Sequence, residues 1–133
     1  MKKTYAGGCH CGAVRYEADM DLSEGTIKCN CSICGKGRAW LAAVQAPNFR
    51  LLKGEDALSD YQFGAHRIHH LFCKHCGIKS FGRGQGADGG EFYAVSLSSL
   101  EGVPDTELAS LPVMYFDGRH DNFKAPPAET RHL

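Results

Sequence analysis

Short runs that alternate in polarity, or that are rich in β-branched and aromatic residues, recur at residues 14–17, 26–28, 39–45, 49–52, 58–63, 67–72 and 91–96. Side chains two positions apart share one face of a strand, so a period of two predicts strands with one buried face. Polar or glycine-rich turns separate the runs, among them Gly54-Glu55-Asp56 and residues 82–90. The second of these has no Gly-Lys-Ser/Thr ending and no helix pattern after it, so a flexible surface hairpin is expected rather than a phosphate cradle. No window of helix length keeps a period near 3.6. Helical turns are expected only after Cys31 and at residues 98–102. The pattern predicts a mainly β fold with few short helical turns, in one domain over residues 1–133. Trp40, Phe72 and Phe92 are expected in its core, and the tail after Phe123, with Pro126-Pro127, as an extended or frayed end.

A chain of 133 residues can bury a core but is small enough to benefit from metal staples. No apolar run approaches the roughly 20 residues that span a bilayer, the longest being residues 39–44. The Lys2-Lys3 start lacks the apolar stretch of a signal peptide. A cytoplasmic protein without a membrane partner is expected, where thiols stay reduced and metal binding outranks disulfides.

The seven cysteines fall in three clusters: Cys9-His10-Cys11, Cys29-Asn30-Cys31-Ser32-Ile33-Cys34 and Cys73-Lys74-His75-Cys76. Thiolates suit zinc; four close a site, whereas three leave a fourth position open to chemistry. Cys9 and Cys11 with Cys73 and Cys76 make four. The middle cluster already holds three within six residues, and any other division strands a two-cysteine cluster unless histidines complete it. Gly12, Gly35 and Gly77 each follow the last cysteine of a cluster, where a tight turn around a metal often needs φ > 0 and aims backbone N–H groups at the sulfurs. A single structural zinc with three free cysteines remains the main alternative. Disulfides would leave one thiol unpaired, and the spacing matches neither the bacterial nor the plant ferredoxin pattern.

His10 and His75 diverge from their flanking cysteines. His69 and His70 are better placed to complete the second site or to shuttle protons, or are simply strand histidines. Lys28, Lys36 and Arg38 flank the second cluster and Lys74 and Lys79 the third, where they would balance thiolate charge. Seven thiolates and two divalent ions would move the formal net charge from zero to about −3, with no basic block to offset it, which argues against a nucleic-acid binder.

Gly7-Gly8-Cys9-His10-Cys11-Gly12-Ala13-Val14-Arg15-Tyr16-Glu17, Cys29-Asn30-Cys31-Ser32-Ile33-Cys34, Leu52-Lys53-Gly54-Glu55-Asp56-Ala57-Leu58, Phe72-Cys73-Lys74-His75-Cys76-Gly77 and the late Phe116-Asp117-Gly118-Arg119 resemble the glutathione-dependent formaldehyde-activating enzyme family, in order, from about residue 5 to residue 120. That resemblance implies an Mss4-like fold of small antiparallel sheets organised around two zinc ions per chain. It implies a structural zinc on Cys9, Cys11, Cys73 and Cys76 and a catalytic zinc on Cys29, Cys31 and Cys34. It also implies a carbon–sulfur lyase-type enzyme that adds glutathione, or a similar thiol, to formaldehyde or a small aldehyde. Arg38, Arg67, Arg83 and Arg119 are candidates for glutathione's carboxylates. The alternative is a non-catalytic zinc module that carries glutathione or binds a protein.

Overall fold

A computed structural model describes residues 1–133. Eleven strands form two sheets. The smaller contains β1 (Lys3–Gly8), β2 (Arg15–Met20), β5 (Phe49–Lys53) and the two-residue β10 (Leu100–Glu101), in the order β10-β1-β2-β5. The larger contains β3 (Thr26–Cys29), β4 (Leu41–Gln45), β6 (Leu58–Tyr61), β7 (Ile68–Cys73), β8 (Phe81–Gln85), β9 (Glu91–Ser96) and β11 (Val113–Phe116), in the order β11-β3-β4-β9-β8-β7-β6. Two short helices, α1 (Ser32–Gly37) and α2 (Asp105–Ala109), and five three-residue 3₁₀ turns complete the regular structure, so helical turns are more numerous than the two expected. The fold is mainly β, as the period-two pattern predicts, and no helix is long and apolar enough to cross a membrane.

Strand β2 shows how the pattern makes the core. Tyr16, Ala18 and Met20 are buried, while Arg15, Glu17 and Asp19 alternate outward. Asp19 and Glu17 meet Arg50 from β5 on the wet face. Inside, Phe49 stacks on Tyr16 at 5.4 Å between ring centroids and on Tyr93 at 4.1 Å, and it meets Phe81 at 4.6 Å. Such pairs hold the two sheets together through area and ring geometry alike. The buried Tyr16 hydroxyl finds the Ser99 hydroxyl at 2.7 Å, so no polar atom is stranded there. Trp40 packs against this cluster as expected, but Phe72 and Phe92 are half-buried outside it.

Five of these strands and helices depart from the sequence pattern, the two-residue β10 among them, where only a helical turn is expected. β1 ends in Gly7-Gly8, which carry no strand signal; a Cβ on Gly7 would come within 2.4 Å of the Tyr16 hydroxyl. β8 contains Gly82 and Gly84, so the expected surface hairpin is instead a buried strand with only residues 86–90 at its tip. A Cβ on Gly84 would lie 2.4 Å from Ile68 Cδ1, which explains a glycine inside a strand. β11 and α2 are short and give no periodic signal. β11 pairs parallel with β3, making a mixed sheet rather than a purely antiparallel one, and its register sets Phe116 beside Cys29. Thr26 locks this edge: its buried hydroxyl donates to Pro112 O at 2.8 Å and accepts from the Trp40 indole N–H at 2.8 Å. The tail is not frayed to its end, because Leu133 is buried and its carbonyl oxygen accepts from Lys28 Nζ at 3.3 Å.

Candidate metal centres

Cys9 and Cys11 follow the end of β1, whereas Cys73 closes β7 and Cys76 stands on the turn after it. Cys9 N–H donates to Val14 O at 3.1 Å, which folds the chain between β1 and β2 into a tight loop. Gly77 N–H donates to Cys73 O at 2.8 Å and closes the second loop. The four sulfurs lie within 4.8 Å of one another, with Cys9–Cys11 and Cys11–Cys73 each at 3.7 Å. Sulfurs 2.3 Å from a tetrahedral zinc stand about 3.8 Å apart, while a disulfide would need about 2.05 Å. The spacing is that of a metal tetrahedron.

Cys29 ends β3, Cys31 caps α1 and Cys34 lies within α1. Their sulfurs form a second group, also within 4.8 Å of one another. No histidine nitrogen belongs to either group. Three sulfurs this close cannot all be thiolates without a cation among them. The Cys34 thiol, hydrogen-bonded to Cys31, holds the Cys31 pKa down to about 5, and its own pKa is driven up. Backbone N–H groups share the charge in both groups: Val14 onto Cys9 at 3.2 Å, Cys31 onto Cys29 at 3.4 Å and His75 onto Cys73 at 3.4 Å. The donor set and its spacing fit a soft divalent ion in each group.

The glycine expectation holds in two loops and fails in the third. Gly12 and Gly77 have φ of 84° and 79°, whereas Gly35 is helical, donating to Cys31 O at 2.8 Å within α1. The glycine that matters most for the second group is distant in sequence. A Cβ on Gly118 would lie 2.6 Å from Cys29 Sγ and 2.9 Å from Cys31 Cβ, so the loop after β11 rests directly on the sulfurs. Buried Asn30 ties that loop down. Its Nδ2 donates to Asp117 Oδ1 at 2.8 Å, and its Oδ1 accepts from Arg119 N–H at 2.9 Å.

The histidines are engaged elsewhere. His69 Nδ1 pairs with Asp60 at 2.6 Å, His70 Nδ1 meets Lys79 Nζ at 2.9 Å, and His10 and His75 are exposed. Among the flanking cations, Lys28 lies over the Trp40 ring at 5.5 Å, and Lys36 and Lys74 are exposed. Lys79 was grouped by sequence with the third cluster. It is half-buried, and its charge acts on Cys34 and Cys31 of the second group; burial lowers its pKa, and those sulfurs offset this only in part. Arg38 lines a small cavity of about 150 Å³ beside Ile33 and Lys79, and Arg119 belongs to the covering loop. Arg67 and Arg83 open instead onto a separate polar cleft with His66, His69 and Glu91. Arg83 pairs with His69 and Gly82 with His70 across β7 and β8, so Arg83 faces away from Lys79.

Residues 4–116 match the family described as glutathione-dependent formaldehyde-activating enzyme. A crystal structure of a Rhodobacter sphaeroides protein is similar with a TM-score of 0.69 at 34% sequence identity, over 81% of this chain and 98% of that one.

Proposed function

The chain belongs to the glutathione-dependent formaldehyde-activating enzyme family, and from that membership we propose that it is a zinc-dependent carbon–sulfur lyase-type enzyme adding glutathione, or a similar thiol, to formaldehyde or a small aldehyde. The whole chain acts as one cytoplasmic domain with two zinc ions. Cys9, Cys11, Cys73 and Cys76 hold the structural ion, and Cys29, Cys31 and Cys34 the catalytic one. The observation that carries the reading is the unequal sulfur count of the two groups within a chain of this family.

Zinc on three thiolates supplies an open position, at which a thiol loses its proton more readily or a carbonyl is polarised. The chain's own residues prepare that position. Cys29, Cys31 and Cys34 occupy one side; Gly118, having no side chain, lets the covering loop approach without filling the site; and Asn30 fixes the loop. Lys79 offsets the negative charge of the sulfurs. In the reaction a C–S bond forms, the carbonyl π pair moves to oxygen, and the proton lost by the thiol ends on that oxygen. Nothing is oxidised or reduced. Holding the two reactants side by side removes much of the entropy cost of the encounter.

Thiols add to formaldehyde without help, so the test must read rate rather than product. Magnetisation exchange between glutathione and S-(hydroxymethyl)glutathione, measured at equilibrium, should be faster with the wild type than with buffer or with Cys31→Ser. Equal rates in all three, with glutathione still bound, would replace the enzyme by a carrier.

A further inference from the structure

Beside the three-sulfur group runs an open groove of about 460 Å³ lined by Ile33, Tyr61, His70, Phe72, Gly77 and Lys79. No cysteine lines the groove; it adjoins the three-sulfur group through Ile33, on the same helix as Cys34, and through Lys79, whose charge acts on Cys34 and Cys31, and it meets the chain of the other group at Gly77. Its walls are largely hydrocarbon and aromatic. Tyr61 and His70 face each other across β6 and β7, with Phe63 stacked on His70 at 5.4 Å and on Tyr61 at 5.8 Å. This aromatic mouth is uncovered: Tyr61 is 51% exposed and Phe63 41%. Asp60 also borders the groove, but its carboxylate is held by His69. Lys79 has one side-chain partner, His70 Nδ1, which fixes the direction of its Nζ while leaving other N–H donors free.

We propose that this groove is the aldehyde subsite, that it takes an aldehyde carrying an apolar or aromatic substituent, and that Lys79 binds the carbonyl oxygen. The proposal rests on the thiol-to-aldehyde reading above and names its substrate class. Formaldehyde fills only a small part of such a groove. Glutathione, with two carboxylates and an ammonium group, does not match its apolar walls, whereas an aryl or alkyl substituent does. The carbonyl oxygen gains negative charge only as the C–S bond forms. A cation already fixed beside it therefore stabilises the transition state more than the neutral aldehyde. Lys79 contributes charge and hydrogen bonds; the proton that the oxygen keeps is the one the thiol releases.

Two measurements on the zinc-loaded protein test this. Equilibrium exchange is followed with formaldehyde and with 3-phenylpropanal, and binding of unreactive 3-phenylpropionate is followed on the Ile33 methyl signals. Lys79→Met should slow both aldehydes roughly 100-fold, the scale seen when one oxyanion donor is lost, and Lys79→Arg should recover part of that. Tyr61→Ala, at an exposed position, should slow 3-phenylpropanal about fivefold more than formaldehyde, by loss of apolar contact. 3-Phenylpropionate should shift Ile33, and more weakly so in Lys79→Met and in Tyr61→Ala. If wild type speeds formaldehyde exchange, but Tyr61→Ala treats both aldehydes alike and 3-phenylpropionate leaves Ile33 unmoved, the groove assignment is overturned and the parent reading stands. If wild type speeds neither aldehyde, the parent reading falls and the aldehyde subsite with it, whatever 3-phenylpropionate does.

Discussion

The two sulfur groups are built from the same ligand but join the chain in opposite ways. The four-sulfur group brings the end of β1 in the small sheet to the end of β7 in the large one, across 62 residues between Cys11 and Cys73. The three-sulfur group is gathered within six residues, from the last residue of β3 to the first turn of α1. Closing a long loop removes far more freedom from the unfolded chain than closing a short one. An ion in the first group therefore fastens the sandwich, while an ion in the second is carried by a segment the sheet already holds in place.

The strongest way to break that comparison is to remove one sulfur from each. Cys9→Ser or Cys76→Ser should cost several kcal/mol of folding free energy, because metal binding at a staple is folding free energy. At about 3–5 °C per kcal/mol for a chain of this size, the melting temperature should fall by 10 °C or more. Cys31→Ser should lower it by only a few degrees while removing the exchange activity. Equal falls in all three variants would mean that the second group is as much a staple as the first.

Chelation sharpens the same contrast. A closed tetrahedron offers no entry to a competing ligand, whereas three sulfurs leave one. Mild chelation should take the metal content from two zinc ions per chain to one, leaving Cys29, Cys31 and Cys34 open to thiol reagents and the melting temperature nearly unchanged. One zinc at full occupancy before any chelation would contradict the two-centre reading.

How legible each region was follows from the same difference. The seven strands with period-two patterns were readable, and so were both sulfur groups, because the cysteine spacing survives in sequence. What surrounds the second group was not. Gly118 touches Cys29 only because β11 returns to pair with β3, a parallel contact made by residues far apart in sequence that neither segment advertises. The motif Phe116-Asp117-Gly118-Arg119 was visible as a family resemblance, but its contact with the sulfurs was not. Lys79 is three residues past Cys76, so proximity in sequence assigned it to the wrong cluster; the β7–β8 turn carries it across to Cys34 and Cys31. Of the four strands that escaped notice, β10 and β11 are short, while β1 and β8 are those whose glycines make room for Tyr16 and Ile68, and glycine reads as a turn when its neighbour in space is unknown.

Gly118→Ala tests the covering loop without touching a ligand. The new methyl group would need space now occupied by Cys29 Sγ, so loop or sulfur must move. Zinc affinity at the second centre should fall about 10–100-fold, the range found when groups that orient ligands are disturbed. The first centre and the melting temperature of its staple should be unaffected. An unchanged affinity would show that the loop yields freely and does not shape the site.

The smallest effect expected is electrostatic and comes from Asp117. Its carboxylate accepts from Asn30 Nδ2 at 2.8 Å and lies 2.9 Å from His120 Nδ1, and these contacts hold its pKa below the usual carboxylate range. A depressed folded pKa means that the ionised group favours the folded loop. That contribution is present above the unfolded value of about 4 and fades as pH falls below it toward the folded one. Asp117→Asn keeps an acceptor for Asn30 but loses the charge, so at pH 7 the variant should melt slightly below the wild type. As pH falls below 4 toward the depressed folded value the advantage shrinks, and once the wild-type carboxylate of the folded loop is protonated the two melting curves should converge. The same titration on a Cys31→Ser background should keep the gap, because Asn30 and Asp117 still meet without the second ion. A gap that vanishes with Cys31→Ser at pH 7 would instead make the loop's order depend on the metal beneath it.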